Sequence, residues 1–334
     1  MADVAVIVVS HNSVEWLDPC LRSVYAHAGG ARLDVVVVDN DSADGSAELV
    51  ESSFPHARLV RSPNRGFGYG NNRGIERTAA RYLLLLNPDT EVIDGSFGEL
   101  VRLLDARPQV GLAGVLQRRA DGSLSPTISR FPSLSRALGE ALFSERWPVH
   151  PQWAGERVLD PAQYEREGEC DWTSGSFMLT RREALLSGGL LDERFFIYSE
   201  EPDLCVRIKR AGWQVRHMPQ MTIVHHAGNR GVRPRMIAQD AYARKQYARK
   251  HFGTAYGGLY ISAWGLHHVI RALSARAAGN AAAAQREGAL RALRALVGHA
   301  EPPFDTPPPT AVSQPAGALD GRASRLDEPT AETH

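Results

Sequence analysis

Two groups of acids in this sequence stand where they could act on a phosphate or a hydroxyl. The first is Asp89, at the end of "YLLLLNPDT", where four leucines run into Asn87, Pro88 and a carboxylate. Beside a nucleotide diphosphate, such a carboxylate suits Mg²⁺ or Mn²⁺, hard cations that need only one or two protein oxygens when phosphates supply the others. The same residues could also simply make a turn, with Pro88 fixing φ. The second group is "YSEEPDLC", with Glu200, Glu201 and Asp203 at the start of a basic-ended helical stretch. Three acids there complement the helix dipole, but crowding also raises the pKa of at least one, as general-base catalysis requires. Downstream, "TIVHHAG" closes an apolar run on His225 and His226, and a neutral imidazole there could complete a metal shell.

Further polar clusters follow other apolar runs: Ser10–Asn12 ("SHN"), Asp39–Ser46 ("DNDSADGS") and Asn64–Asn72 ("NRGFGYGNN"). Asp39 suits either a helix cap or Asx-turn, or a hydrogen bond to a base or ribose. The glycines of "GFGYG" do not make a dinucleotide fingerprint. That motif needs its turn directly after the first strand with an acid about 20 residues later, and here Asp39 precedes the glycines. No GxxxxGK[ST] occurs, which excludes a P-loop. A nucleotidyltransferase would carry a glycine-rich basic loop after its first strand, and "SHNSVEWL" is not one.

These clusters need a scaffold that gathers strand ends. Short β-branched or leucine runs at 4–9, 34–38, 57–61, 82–86 and 110–116 alternate with helical stretches at 14–26, 71–79 and 96–106, Ser96 being a candidate N-cap. Such alternation predicts an α/β protein whose parallel sheet is covered on both faces, with ligands at the strands' carboxyl ends. Residues 121–169 lose periodicity and read as irregular acceptor-side structure. A strand then runs into a helix at "SFMLTRREALL", and "EEPDLCVRIKRAGW" follows as a second helix.

At 334 residues, with 38 basic and 38 acidic side chains, the chain shows no bulk attraction to nucleic acid. Residues 231–300 nevertheless carry 11 Lys/Arg against two acids, Asp240 and Glu287. This basic helical extension suits core packing, a dimer interface or peripheral membrane contact through 234–298. Three scattered cysteines, Cys20, Cys170 and Cys205, suit a reducing compartment. The apolar start lacks a cationic flank, so it reads as a strand and not as a secretion signal. No window is apolar enough for a membrane span, and the proline-rich 301–334 predicts a disordered tail.

Together and in this order, "VVSHN", "VVDNDSADGS", "NRGFGYGNNRGI", "LLLLNPDT", "WTSGSFMLTRREAL", "GGLLDERFFIYSEEPDLCVRIKRAGW" and "VHHAG" resemble the family 2 inverting glycosyltransferases with the GT-A fold, in particular bacterial rhamnosyltransferase-like members. The resemblance covers residues 4 to about 230. It implies a GT-A domain over 1–230, with a nucleotide-sugar half at 1–116 and an acceptor half at 117–230, built on a mixed, mostly parallel sheet. It implies that Ser10, Asn12, Asp39, Asn64, Gly66, Asn72 and Asn87 surround a nucleotide-sugar donor, Asn72 foremost. Asp89 stands at the last position of a degenerate DxD metal motif, and His225 matches the family's metal-side histidine. Glu201 takes the place of the acid that deprotonates the acceptor, where the family commonly has Asp; the extra methylene leaves Glu200 and Asp203 as alternatives. Trp172, Ser174 and Gly175 match the acceptor pocket. The implied activity is metal-dependent inverting transfer, from dTDP-L-rhamnose first and a UDP-hexose second, to a carbohydrate or lipid-linked saccharide in cell-surface polysaccharide or glycolipid synthesis. A non-catalytic nucleotide-sugar binder would also accommodate the Glu201 departure. The implied placement is cytoplasmic, peripheral on the inner face of the plasma membrane.

Overall fold

A computed structural model describes residues 2–143, 151, 153–226, 232–297 and 304. Its first half alternates as the apolar runs dictate: β1 (Val4–Ser10), α1 (Val14–Ala26), β2 (Leu33–Asn40), α2 (Ser46–Ser53), β3 (Arg58–Ser62), α3 (Phe67–Ile75) and β4 (Tyr82–Leu86). Then come β5 (Thr90–Asp94), α4 (Phe97–Asp105), β6 (Val110–Arg118), β7 (Ile128–Ser129), α5 (Leu134–Ala141), β8 (Gly168–Glu169), β9 (Trp172–Thr173), β10 (Phe177–Arg181), α6 (Arg182–Gly188), α7 (Glu200–Arg210) and β11 (Gln214–His225). Three helices close the described chain: α8 (Pro234–His251), α9 (Thr254–Ala277) and α10 (Ala283–Val297).

The main sheet runs β3-β2-β1-β4-β10-β6-β11-β5, with β8 paired to β11. Strands β3, β2, β1 and β4 are mutually parallel, as are β6 and β11, while β10 is antiparallel to both neighbours. Alternate residues of β1, β2 and β4 enter two separate apolar clusters, one on each face, which is why these strands read as unbroken apolar runs. The α/β class and the mixed sheet match expectation, and so does Ser96, whose hydroxyl caps α4 by accepting from the Glu99 amide.

Three features differ from expectation. The glycine-rich stretch is itself helical, since α3 starts at Phe67 and not Asn71. Its glycines allow close packing: a Cβ at Gly70 would meet Val9 and Asn40, so the helix sits directly against β1 and β2. Second, β5 follows Asp89 at once and pairs antiparallel with β11. Third, the stretch expected to be irregular contains β7 and α5, β7 pairing with β9 as a separate ribbon; Trp147 and Pro148 lie outside the described residues. So does the predicted disordered tail except Phe304, which stacks on Phe196 with 4.6 Å between ring centroids. All three cysteines are free and buried. No helix among the described residues is long and apolar enough to cross a membrane.

Helices α8, α9 and α10 share an apolar core of their own with α5, built on Ala137, Ala241, Tyr260, Trp264 and Ala292. They are tied to the sheet domain by ion pairs, notably Lys250 with Asp192 at 2.6 Å.

Candidate active site

Reversal of β10 sets the site's geometry. Phe177 pairs with Leu86, so the start of β10 lies beside the end of β4, where Asn87 and Asp89 begin their turn. The Asn87 amide donates to the Ser176 carbonyl at 3.1 Å, and Thr90 Oγ1 donates to the Asn87 carbonyl at 2.7 Å. Asp89 does therefore stand in a turn, and that turn presents its carboxylate. Strands β6 and β11, parallel to each other, deliver Gln117 and His225 to the same edge.

A continuous string of contacts follows. Asp89 Oδ1 lies 3.1 Å from His225 Nε2, while Gln117 Nε2 lies 3.2 Å from His225 Nδ1. Gln117 Oε1 accepts from Ser176 Oγ at 2.5 Å, and the adjacent Gly175 amide donates to Glu201 Oε1 at 3.2 Å. Gln117 thus fixes the orientation of the His225 ring, and Nε2, the nitrogen that faces Asp89, is the one available to a cation when the ring hydrogen sits on Nδ1. Sequence reasoning missed Gln117, which carries no motif, and singled out Trp172, Ser174 and Gly175 of "WTSGSFMLTRREAL" but not Ser176; both join the string through strand pairing.

Glu201 occupies the first turn of α7, and the approach to it is strained: Tyr198 and Ser199 have φ of 72° and 66°. Of the five non-glycine residues with positive φ among the described residues, Asn12 and Asp41 also sit in loops at this sheet edge, and such conformations cluster at functional sites. Burial raises the Glu201 carboxyl above its ordinary value against the lowering effect of its own and the Gly175 amides. Burial, and then the charge of Glu201, push Glu200 well above; Glu200 Oε2 is buried with no hydrogen-bond partner among the described residues.

Asp203 is turned away from this edge. Its fully buried carboxylate meets His251 at 2.7 Å, Lys250 at 2.6 Å and Arg207 at 2.9 Å. Burial pushes it up, yet the His251 hydrogen bond and the charges of Arg207 and Lys250 outweigh burial and leave it below its ordinary value. The geometry gives Asp203 a structural place, anchoring α7 to α8, and separates it from Glu200 and Glu201.

On the donor side, Ser10 and Asp39 are register partners at the ends of β1 and β2. Both are buried, and Ser10 Oγ and Asp39 Oδ1 are unpartnered among the described residues, as is Asn40 Oδ1. Asp39 Oδ2 accepts from the Ser42 amide three residues on, holding the loop after β2. Buried polar atoms of this kind need an explanation, and a bound ligand is one. Asn12 Oδ1 accepts from the Ala43 amide, stapling the two loops together, and Asn64 Oδ1 accepts from the Gly66 amide. Gly66, at φ 101°, packs on the backbone of Phe196, bringing the donor loop against the segment that leads to Glu201.

Asn72 does not fit the leading donor role implied for it. Its amide donates to the Leu191 carbonyl and to Glu193, both at 2.9 Å, and its Oδ1 accepts from the Leu191 amide. Buried and fully engaged, it braces the loop before α7. Trp172 Nε1 donates to the Arg130 carbonyl at 2.8 Å and the ring packs partly into the core. Ser174 Oγ bonds Ser176. His226 turns to Glu91 at 2.8 Å and stacks on Trp16, apart from His225.

A cleft of about 750 Å³ opens from Asp89 and Tyr198 and is walled by α8, α9 and α10, including Arg233, Asp240, Arg244, Trp264 and His268. The basic extension therefore builds part of the site, which residue patterns alone did not reveal. Asp89 and His225 fit a divalent cation: one carboxylate oxygen and one imidazole nitrogen, close enough to share an ion, leave its other positions to phosphate. They are a pair only, since no group of three or more metal-binding side chains occurs among the described residues.

The family model described as Glycosyl transferase family 2 matches residues 5–185. An N-acetylglucosaminyl-diphospho-decaprenol L-rhamnosyltransferase of Mycobacterium tuberculosis is 31% identical over 241 residues, spanning 68% of this chain and 77% of its own. Rhamnosyltransferase WbbL of Escherichia coli is 22% identical over 232 residues, spanning 67% and 83%. The mannosyltransferase PcManGT of Pyrobaculum calidifontis, solved with GDP-Man and Mn²⁺, superposes with a TM-score of 0.54 at 17% identity, over 89% of this chain and 87% of that one. The fold is accordingly GT-A, and the chain, an enzyme, belongs to glycosyltransferase family 2.

Proposed function

We propose that the protein transfers a sugar, L-rhamnose from dTDP-rhamnose first and a hexose from a UDP-sugar second, to a hydroxyl of a lipid-linked saccharide, with inversion at the anomeric carbon. The product would enter a cell-surface polysaccharide or glycolipid. The observation that supports this reading is the contact string from Asp89 through His225, Gln117 and Ser176 to Gly175 and Glu201, which joins a carboxylate–imidazole pair to a second carboxylate along one edge.

In this reading the acceptor hydroxyl approaches Glu201 Oε2, the oxygen not held by Gly175. Glu201 takes the hydroxyl proton as the new bond forms on one face of the sugar and the nucleotide diphosphate leaves from the other. Burial makes the carboxylate a better base than an exposed glutamate. Asp89 and His225 would hold Mg²⁺ or Mn²⁺. When bound, that ion supplies charge neutralisation to the departing diphosphate. Ser10, Asp39 and Asn40 offer the nucleoside their unpartnered oxygens. Gln117 keeps His225 oriented, as outer-shell partners of metal ligands do.

The names of the two rhamnosyltransferase relatives favour a rhamnosyl donor, and that of the mycobacterial one an L-rhamnosyl group and a lipid-diphosphate acceptor. Peripheral membrane contact fits as well. Tyr256, Leu259, Leu266, Val269 and Leu273 are exposed on α9 at spacings that line one helical face. Leu266→Glu with Leu273→Glu should abolish flotation with anionic liposomes; unchanged flotation would remove the membrane from this reading. The transfer itself is tested by incubating full chain with Mn²⁺, a panel of nucleotide sugars and a prenyl-diphospho-sugar acceptor, and reading the anomeric configuration by NMR. A retained configuration, or no transfer from any donor, would refute it.

A further inference from the structure

The helix packed against the segment that leads to Glu201 brings a carboxylate which proton transfer does not use. On α8, Gln239 Nε2 donates to the Ile197 carbonyl at 3.3 Å, and Ala243 and Tyr247 form a buried cluster with Phe195 on which Tyr198 packs. Positions 240, 243 and 247 share one face of a helix. Asp240 therefore belongs to the face of α8 that rests on residues 195–198, and both Asp240 and Tyr198 line the cleft.

Asp240 also lies within electrostatic reach of the base. Burial is the main cause of the raised Tyr198 hydroxyl, and the charge of Asp240 is the next. Burial likewise leads for Glu201, opposed by its own and the Gly175 amides; among charges, Asp240 raises this carboxyl and Arg244 lowers it.

The side chain is held but not consumed. Asp240 Oδ2 accepts from Arg244 Nε at 2.9 Å. Arg244 is itself fixed by Glu156 at 2.8 Å and by the Trp264 ring, whose centre lies 3.9 Å from its guanidinium carbon. Asp240 Oδ1 has no hydrogen-bond partner among the described residues, and the side chain is 33% exposed. A free carboxylate oxygen repels a phosphate and accepts strongly from a hydroxyl. The cleft reaches Asp89 as well, but the part that Asp240 lines suits a neutral polyol, and about 750 Å³ has room for a sugar.

We propose that Asp240 is a specificity-determining residue for the acceptor: its Oδ1 accepts a hydrogen bond from a second hydroxyl of the acceptor sugar, besides the one that Glu201 deprotonates, and Tyr198 forms the adjoining wall. The inference rests on the transferase reading above. An acceptor sugar that lacks this second hydroxyl leaves Asp240 Oδ1 desolvated without a donor, and is rejected for that reason.

Calorimetry on the full chain, without donor, compares a short-prenyl diphospho-N-acetylglucosamine, the saccharide in the mycobacterial relative's name, with its monodeoxy analogues. Wild type should lose at least about tenfold in affinity for one of them, as expected for a hydrogen bond to a charged group. Asp240→Ala should bind the parent about as weakly as wild type binds that analogue, and should hold parent and analogue within about twofold of each other. Asp240→Asn, which keeps the shape beside Arg244, should fall between, and it carries the comparison where the first variant does not fold. Discrimination that survives in the variant overturns the proposal, as does equal affinity of wild type and variant for the parent. A loss shared by every saccharide and by nucleoside diphosphate marks a structural role and overturns it too; a tenfold loss confined to nucleoside diphosphate would give this wall to the donor. The transferase reading is judged separately: discrimination by wild type with no transfer from any nucleotide sugar sinks that reading and leaves Asp240 in a saccharide-binding site.

Discussion

Glu201→Gln separates the chemistry of the base from its placement. The amide keeps an oxygen for the Gly175 amide, now at 3.2 Å from Glu201 Oε1, so the first turn of α7 retains its tie to the loop before β10. What is lost is the ability to accept a proton. A positioned base contributes about 10²–10⁴-fold, which is roughly 3–5.5 kcal/mol of barrier, and kcat should fall by that factor while donor affinity stays within about threefold. Stability should move the other way. Burial holds the folded-state pKa of Glu201 above its ordinary value of 4.5, so the folded chain binds more protons than the unfolded one in the window between. Stability therefore declines as pH rises through that window and stays reduced above it, by about 1.4 kcal/mol for each pH unit that separates the folded and unfolded values. Removing the ionisable group removes this penalty, and the variant should melt higher than wild type at neutral pH. The assay follows nucleoside diphosphate release at saturating donor and acceptor from about pH 5 to 9, with donor binding by calorimetry and melting by fluorescence. The acid limb of kcat in the wild type should lie above the ordinary glutamate range and vanish in the variant. A variant within threefold of wild-type kcat, or one whose loss of rate comes with a lower melting temperature, would refute the reasoning.

Asp203→Asn should behave differently from Glu201→Gln, because it leaves Arg207, Lys250 and His251 around an uncharged amide in a fully buried site. A loss of about 3–5 kcal/mol in denaturant unfolding is expected. The wild-type contribution of Asp203 should be present above its ordinary value of 3.8 and fade as pH falls through its lowered folded value; unfolding curves of the two proteins that converge at neutral pH would contradict this. Asp89→Ala should weaken Mn²⁺ binding, read by electron paramagnetic resonance with nucleoside diphosphate present, by at least about tenfold, and unchanged binding would move the cation elsewhere. Gly66→Ala should lower both stability and kcat, since its Cβ would stand 2.6 Å from Phe196 Cα in a left-handed conformation. A cost of about 2–4 kcal/mol is expected, and a variant as stable as wild type would show the donor loop free to move away from Phe196.

Positions that depend on a strand's end were legible in the sequence, and contacts whose partners come from distant elements were not. Asp89 and His225 each close an apolar run, and a strand that ends at a sheet edge has no other place to put its last polar side chain. Ser96 announced its helix for the same local reason. Asn72 misled because a polar residue in a glycine-rich stretch looks free, whereas its amide is consumed by Leu191 and Glu193 more than a hundred positions later. Gln117 was invisible, and Ser176 was passed over inside its motif, because the two meet only once β10 is inserted backwards between β4 and β6. The arginines of the cleft wall gave a charge excess without an address: composition reported a basic segment, and only the packing of α8 and α9 turned it toward Asp89.

The acid-rich turn shows why identical residue types diverge. Two consecutive left-handed residues, Tyr198 and Ser199, precede Glu200, each costing about 1–3 kcal/mol, and such a kink persists only where its surroundings over-determine it. Asp203, one turn into α7, meets that need from below through cations carried by α7 itself and by α8. Asn72 meets it from the side by holding Leu191 and Glu193 in the loop that leads to the kink. With both ends fixed, Glu200 and Glu201 are held where burial raises their pKa, and neither can relieve the charge by swinging into solvent. The helical extension thus acts on Glu201 twice, by locking the turn that carries it and by walling the cleft that Tyr198 of that turn lines.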